Sequence, residues 1–384
     1  MPAQKKHYDF IIAGAGAAGL SLLMRLMAAG IQQQTSILLI DKAPKQHNDR
    51  TWCFWEVGTG LFEPLVHNRW NQIEFMAPGF SKTYAINPYQ YKMIHGIDFY
   101  NYCFEAIRKE TAITVIYDTI TAINNMHNGA TVTTANTVFT ANYVFSSIVF
   151  NSPSLKTPHE HYLLQHFKGW TIETTEPCFD SNKASFMDFR VSQQHGTTFV
   201  YTMPFANNKA LIEYTLFTKQ LLPPEAYDAA LHNYIQAYFT KDYTIKEQEF
   251  GIIPMTNYKF KPYNGNVIYI GTIGGQTKGS SGYTFQFIQK RTAAIAAAIT
   301  QTGKPFTNKA LTAKRFQFYD SVLLHLLAHN KLEGVTIFTK LFQKNDATAI
   351  FKFLDNETSF AEDLVLISSL PFLPFSKAAI KQLF

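Results

Sequence analysis

Three features of the 384-residue sequence predict an α/β fold. Gly14, Gly16 and Gly19 lie between an apolar strand and a helix. A second apolar strand with glycines after it returns at Val267–Gly271. Between these two points, from about Thr157 to Glu249, a run of strands interrupts the pattern. Together they describe a Rossmann-type dinucleotide-binding domain with an inserted mixed β-sheet and a helical C-terminal region. The expected divisions are 1–156 and 256–305 for the two parts of the nucleotide domain, 157–255 for the inserted substrate sheet, and 306–384 for the helical region. A hairpin near 72–86 is placed to join the inserted sheet.

Each element has its own signal. Tyr8–Ala13 is a continuous apolar run of strand length, Ala17–Ala29 has helical patterning that stops at Gly30, and Ser36–Ile40 is a second buried strand. These make one strand–helix–strand unit. Gln72–Ile86 alternates around a turn at Pro78-Gly79, Tyr91–Lys109 is expected to be helical, and Ile113–Phe150 reads as short strands with a turn at Asn128-Gly129. In the insert, Ala184–Val191, Thr197–Pro204 and Lys209–Leu216 read as strands and Pro224–Phe239 as a helix. Tyr283–Thr300 follows as a helix, and from Asn308 the chain is mostly helical with breaks at Pro371 and Pro374.

Composition narrows the function. Charged residues are only 16 %, hydrophobic residues 46 % and aromatics 15 %, with 33 Phe and 20 Tyr. Such a chain suits a Phe-heavy core, a long apolar cavity or a membrane-facing patch. The net charge of +6 is scattered, which excludes nucleic acid as a partner and leaves weak attraction to anionic lipid. Cys53, Cys103 and Cys178 are odd in number and form no CxxC pair, so neither a disulfide framework nor a cysteine-rich zinc site is expected. No apolar stretch is long enough to span a bilayer. Lys5, Lys6 and the apolar run through Leu23 imitate a signal peptide, but the glycine spacing assigns them to mature structure. A cytoplasmic protein, peripheral to the inner face of the membrane, is the expectation.

The glycine motif has a mechanical reading. Gly14 permits the tight turn, Gly16 lets backbone approach a pyrophosphate, and Gly19 lets helix and strand pack closely. The helix N-terminus offers free N–H groups to that pyrophosphate. Asp41 follows the second strand, where a carboxylate meets the ribose hydroxyls. The segment from Val267 to Gly271, then Gly274, Gly275, Gly279 and Gly282, resembles the second flavin-contacting segment of glutathione-reductase-type flavoproteins. The resemblance implies FAD rather than NAD, with Gly271 and Gly282 near the flavin and the helix near Tyr283 pointing at it. Thr272 stands where those proteins carry an Asp.

A more specific resemblance covers nearly the whole chain. Asn48-Asp-Arg-Thr-Trp-Cys-Phe-Trp55 looks like the Thr-Trp-x-Phe segment of bacterial lycopene cyclases. Phe186-Met-Asp-Phe-Arg190, Pro204 followed by Leu211-Ile-Glu-Tyr-Thr215, Gly251-Ile-Ile-Pro-Met255 and Ser280-Ser-Gly-Tyr-Thr284 agree in order. Phe318-Tyr-Asp320 and Leu370-Pro-Phe-Leu-Pro-Phe375 follow. The chain thus resembles the lycopene β-cyclase family. That resemblance implies protonation of an acyclic end of lycopene, ring closure through a carbocation, and proton loss, with no net redox change. Reduced FAD would be the active form and NAD(P)H the external reductant. Lycopene and related acyclic carotenoids would be the substrates.

The resemblance places the acid–base carboxylate at Glu213, in an apolar strand where its protonated form is favoured. The next family position is usually a second acid; here it is Tyr214. Asp188 is the other carboxylate of interest, either catalytic or paired with Arg190. Arg50 is placed for a flavin phosphate or for solvent. Trp52, Phe54, Trp55 and Tyr214 are candidates for lining a polyene tunnel, with core packing the alternative. His325 and His329 share a helix face, but no HExxH pattern or third ligand is evident, so no metal is expected. Two other readings fit the same fold: a flavin monooxygenase or prenyl-chain reductase, and a non-catalytic carrier of prenylated cargo.

Overall fold

The computed structural model describes residues 6–307 and 313–383. Lys5, Asn308 and Phe384, which bound some of the expectations above, lie outside them.

Strand Lys6–Ala13 forms the middle of an eight-stranded sheet. It pairs in parallel with Ile37–Asp41 on one side and Val138–Ser146 on the other. Ile113–Tyr117 extends the sheet beyond Ile37–Asp41, and Val267–Tyr269 pairs with Val138–Ser146. The last pairing closes a gap of more than a hundred residues and rebuilds the nucleotide domain around its insert. Helices Ala17–Ala28 and Phe285–Thr302 pack side by side over this sheet. Phe10, Ile12, Leu20, Leu23, Ile295 and Ile299 fill the interface.

The insert is a seven-stranded sheet. Its order runs Tyr243–Thr256, Tyr162–Thr174, Lys209–Thr218, Thr197–Ala206, Lys183–Asp188, Gln72–Ala77, Phe80–Ala85. The hairpin Gln72–Ala85 is thus part of this sheet, joined to Lys183–Asp188 in parallel. One face carries Trp170, Ile212 and Tyr214 against helix Pro224–Tyr238. The other carries Phe186, Phe199, Tyr201 and Leu211 toward the nucleotide domain and the C-terminal helices.

Two expectations need correction. The residues from Tyr91 do not begin a helix: Tyr89–His95 is a strand, and the helix is Gly96–Ile107. Tyr91 and Met93 are core residues while Gln90 is only half-buried, and the strand pairs antiparallel with Thr51–Val57 in a small three-stranded sheet. Pro374 does not break a helix either. It is the third residue of helix Phe372–Leu383, where a backbone N–H has no intrahelical partner to lose. Among the described residues no helix is long and apolar enough to cross a membrane.

Candidate active site

A cleft of about 550 Å³ runs between the two sheets. Gly16, Ala17 and Ala18 and the turn Gly271–Ile273 line it from the nucleotide domain, and Leu211 and Glu213 from the inserted sheet. Gly14 has φ +103°, and a Cβ there would overlap Ser147 Oγ. A Cβ at Gly19 would overlap the carbonyl oxygen of Gly14. At Gly16 a Cβ would meet nothing within 4 Å, so backbone alone borders open space. Gly16 caps helix Ala17–Ala28 without a side-chain hydrogen bond, leaving its first N–H groups directed at that space. An uncapped helix start beside an open glycine fits a pyrophosphate, and these residues suit a dinucleotide cofactor.

The remaining nucleotide candidates are distributed around the glycine loop. Asp41 is buried; its Oδ2 accepts from the Ala15 amide at 2.6 Å and Lys45 lies 3.3 Å away, so it braces the glycine loop. Arg50 is exposed on the cleft beside Asp49. Gly271 and Gly282 both line the cleft with positive φ, +68° and +72°. Thr272 lies in the turn Gly271–Gly274, and Phe285 and Ile288 bring the start of the next helix to the wall.

The inserted sheet positions the acidic side. Along strand Lys209–Thr218 alternate residues face opposite sides. Leu211 and Glu213 face the cleft; Tyr214 faces helix Pro224–Tyr238 and packs in the far core. Tyr214 is therefore not a wall of the cleft, which corrects its expected substrate contact. Around Glu213 stand Tyr91, Tyr201, Tyr283 and Cys53, all lining the same space. The Tyr201 and Tyr283 hydroxyls are 3.3 Å apart. Glu213 Oε1 accepts from Thr215 Oγ1 at 3.0 Å, and among the described residues no Lys, Arg or His lies within salt-bridge distance of it. Burial first, and the charge of Glu249 second, push its carboxyl up to about 8. A carboxylic acid in this setting keeps its proton near neutral pH.

Asp188 is elsewhere. Fully buried, it is held by Arg190 Nη2 at 2.7 Å and by the Tyr234 hydroxyl at 2.7 Å, outside the cleft. The salt-bridge alternative describes it. Along strand Thr51–Val57, Trp52 and Phe54 share the face that packs on Phe285, and Trp55 is on the other. Trp52 lines the cleft and contacts Phe285 at 5.8 Å between centroids. Phe54 stacks on Phe285 at 4.5 Å, and Trp55 stacks on Phe351 at 4.5 Å with its edge toward Tyr283. Phe54 and Trp55 are core residues behind the wall rather than part of it. Tyr91, Tyr201 and Tyr283 were not singled out by sequence, because only long-range pairing collects them.

His325 and His329 do acquire a third imidazole. His161 precedes strand Tyr162–Thr174, and donor atoms of the three lie within 4.8 Å of one another. The Gln382 side-chain nitrogen sits 3.0 Å from His161 Nε2 and 3.4 Å from His325 Nδ1. Burial and repulsion by the other two histidines lower His161 to about 4, so it is neutral at pH 7.

Comparison with known proteins supplies the family. Residues 9–380 match the family described as lycopene cyclase protein. A lycopene beta-cyclase from Pantoea ananas is 26 % identical over 261 residues, covering 65 % of this chain and 63 % of that one. The match therefore spans a little under two thirds of that relative. By structure, the chain resembles a geranylgeranyl bacteriochlorophyll reductase-like protein from Thermoplasma acidophilum. The TM-score is 0.61 at 11 % identity, covering 99 % of this chain and 97 % of the other. It also resembles the halogenase PltM in complex with FAD, with TM-score 0.56 and 11 % identity over 90 % of this chain and 78 % of that one. At such identity these likenesses establish the fold, that of FAD-dependent reductases and hydroxylase-like flavoproteins, with a helical C-terminus. With the family match running over nearly its whole length, the chain belongs to the lycopene cyclase family.

Proposed function

We propose that the protein is a lycopene β-cyclase that protonates an acyclic carotenoid end with Glu213. The observation that carries this reading is the placement of Glu213, with a hydroxyl and no cation beside it, in the wall of the same cleft as a dinucleotide-type glycine loop. Glu213 would deliver its proton to the terminal double bond. The tertiary cation so formed is attacked by a neighbouring double bond, closing a six-membered ring. Loss of a ring proton then gives the β-end, and the proton balance is zero. Tyr91, Tyr201 and Tyr283 exclude water and turn aromatic surface toward the cation, an attraction worth about 0.5–2 kcal/mol per well-placed ring. Gly16, Arg50, Gly271 and Gly282 would hold FAD, with Asp41 bracing the loop; bound in its reduced, anionic form, FAD would supply negative charge that stabilises a cation.

The test is lycopene conversion by the purified, FAD-loaded chain under a chemical reductant or NAD(P)H. The expected product has the mass of its substrate. A product heavier by oxygen or by hydrogen would mean a monooxygenase or a reductase instead. Purification without flavin and without conversion would favour a carrier.

The substrate is insoluble in water, so we also propose contact with lipid. Helices Phe360–Ser368 and Phe372–Leu383 expose Phe360, Leu364, Val365, Phe372, Leu373, Ile380 and Leu383, with Phe372 79 % accessible. Lys377 and Lys381 are exposed on the second of them. Apolar side chains with flanking lysines suit an anionic membrane surface. The chain is expected to float with anionic liposomes, and Phe372→Ser with Leu373→Ser to weaken flotation clearly. No flotation of the parent would remove the membrane from the proposal, and unchanged flotation of the variant would move the contact elsewhere.

A further inference from the structure

Glu213 has a partner that the strand Lys209–Thr218 does not itself supply. In the inserted sheet Gly169 is in register with Glu213 on one neighbouring strand and with Glu249 on the other. Residues in register on adjacent strands share a face, so both glutamates rise on the cleft side with only a glycine between them. The space over the glycine is filled by Glu249 and by Leu211, whose Cδ1 would lie 3.1 Å from a Cβ at Gly169. A Cβ at Gly169 would lie 3.0 Å from Glu249 Cγ and 3.3 Å from Glu249 Oε1. Glu249 therefore leans across Gly169 toward Glu213. Its Oε2 accepts from Thr51 Oγ1 at 2.8 Å, while its buried Oε1 has no hydrogen-bond partner. A small outer cleft lined by Asn48, His95, Glu247 and Glu249 meets the sheet at this point, and Thr51 and Leu211 border both clefts.

We propose that Glu213 and Glu249 hold protons as a coupled pair across Gly169, Glu249 being a positioning residue that keeps Glu213 loaded and connects it to the outer cleft. This rests on the reading of Glu213 as the proton donor. It assigns the second acid that is missing at Tyr214 to another strand. Ionisation of both carboxyls at once is opposed by their mutual repulsion, as for any two carboxylates in one poorly solvated site. Glu249 is itself raised to about 7, by burial against the opposing hydrogen bond from Thr51. The other titratable groups facing the pair are Cys53, Tyr91, Tyr201 and Tyr283 around Glu213, and Asp49, Arg50 and Glu247 around Glu249, with His95 on the outer cleft. Cys53, Tyr91, Tyr201 and Tyr283 are all pushed up by burial and stay neutral where the glutamates titrate.

The experiment is an infrared titration of buried carboxyl C=O bands in the flavin-loaded chain, repeated with Glu249→Gln, Glu249→Asp and Glu213→Gln. The parent is expected to lose its two protons in separate steps. Glu249→Gln should leave one step, lower than the parent's upper step by roughly one pH unit or more. Glu213→Gln should also leave one step, close to the parent's lower one, because Glu249 ionises while Glu213 is still protonated; Glu249→Asp, which retracts that charge by one methylene, should lower the upper step by less and stands in if Glu249→Gln does not fold. The alkaline limb of lycopene conversion should move down with Glu249→Gln. An upper step unmoved by either substitution of Glu249 would overturn the pair. Paired titration in a chain that converts no lycopene would uphold the pair and reject the reaction assigned to it.

Discussion

Glu213→Gln should lower lycopene conversion by roughly 10²–10⁴-fold or more, with flavin content and melting behaviour near those of the parent. Glutamine keeps the size of the side chain and an acceptor for Thr215 Oγ1, now 3.0 Å from Glu213 Oε1, but it has no acidic proton. The loss lies at the upper end because protonation starts the sequence rather than assisting it. Glu213→Asp should be impaired as well, since the carboxyl retreats by one methylene from a reaction that needs hydrogen-bond reach. The parent's pH profile carries the same signature. The working form is protonated, so conversion is present at neutral pH and is lost as pH rises through about 8. Near-normal conversion by the glutamine variant at full flavin occupancy would remove Glu213 from the chemistry.

Gly16→Val is expected to abolish flavin binding while the chain still folds. The new side chain would project where a Cβ meets no protein atom within 4 Å, so no packing opposes it. It would fill the space in front of the uncapped helix start, where a pyrophosphate needs backbone contact. Gly19→Val is the contrasting case. There the Cβ would strike the Gly14 carbonyl, and the damage would fall on folding itself. Flavin absorbance after purification, beside circular dichroism, separates the two. Full flavin in folded Gly16→Val would refute the nucleotide site.

What the sequence disclosed follows from the range of each interaction. The strand–glycine–helix–strand start is local, and the glycines, Asp41 and both flanking strands stand where the pattern put them. Alternation within one strand is also local, yet which face meets the cleft is not. Hence Glu213 and Tyr214 were both candidates, and only sheet packing sends Tyr214 to the far side. Phe54 and Trp55 are taken into the core by Phe285 and Phe351, partners far along the chain. Tyr91–His95 read as helix because the pairing partner of that strand, Thr51–Val57, lies over thirty residues away. Glu249 was invisible to a linear reading. Its relation to Glu213 passes through Gly169, and three strands far apart in sequence must be aligned before it exists.

Two carboxyls that retain protons in the folded chain make the native state a stronger base than the unfolded one. Between their ordinary value of 4.5 and their native values of about 7 and 8, folding takes up protons. Their contribution to stability is fully present below the ordinary value and is lost as pH rises through the native ones. The slope is roughly 1.4 kcal/mol per pH unit for each proton taken up. Through these two groups, mild acid favours the folded state and loads the donor at the same time, and alkali withdraws both.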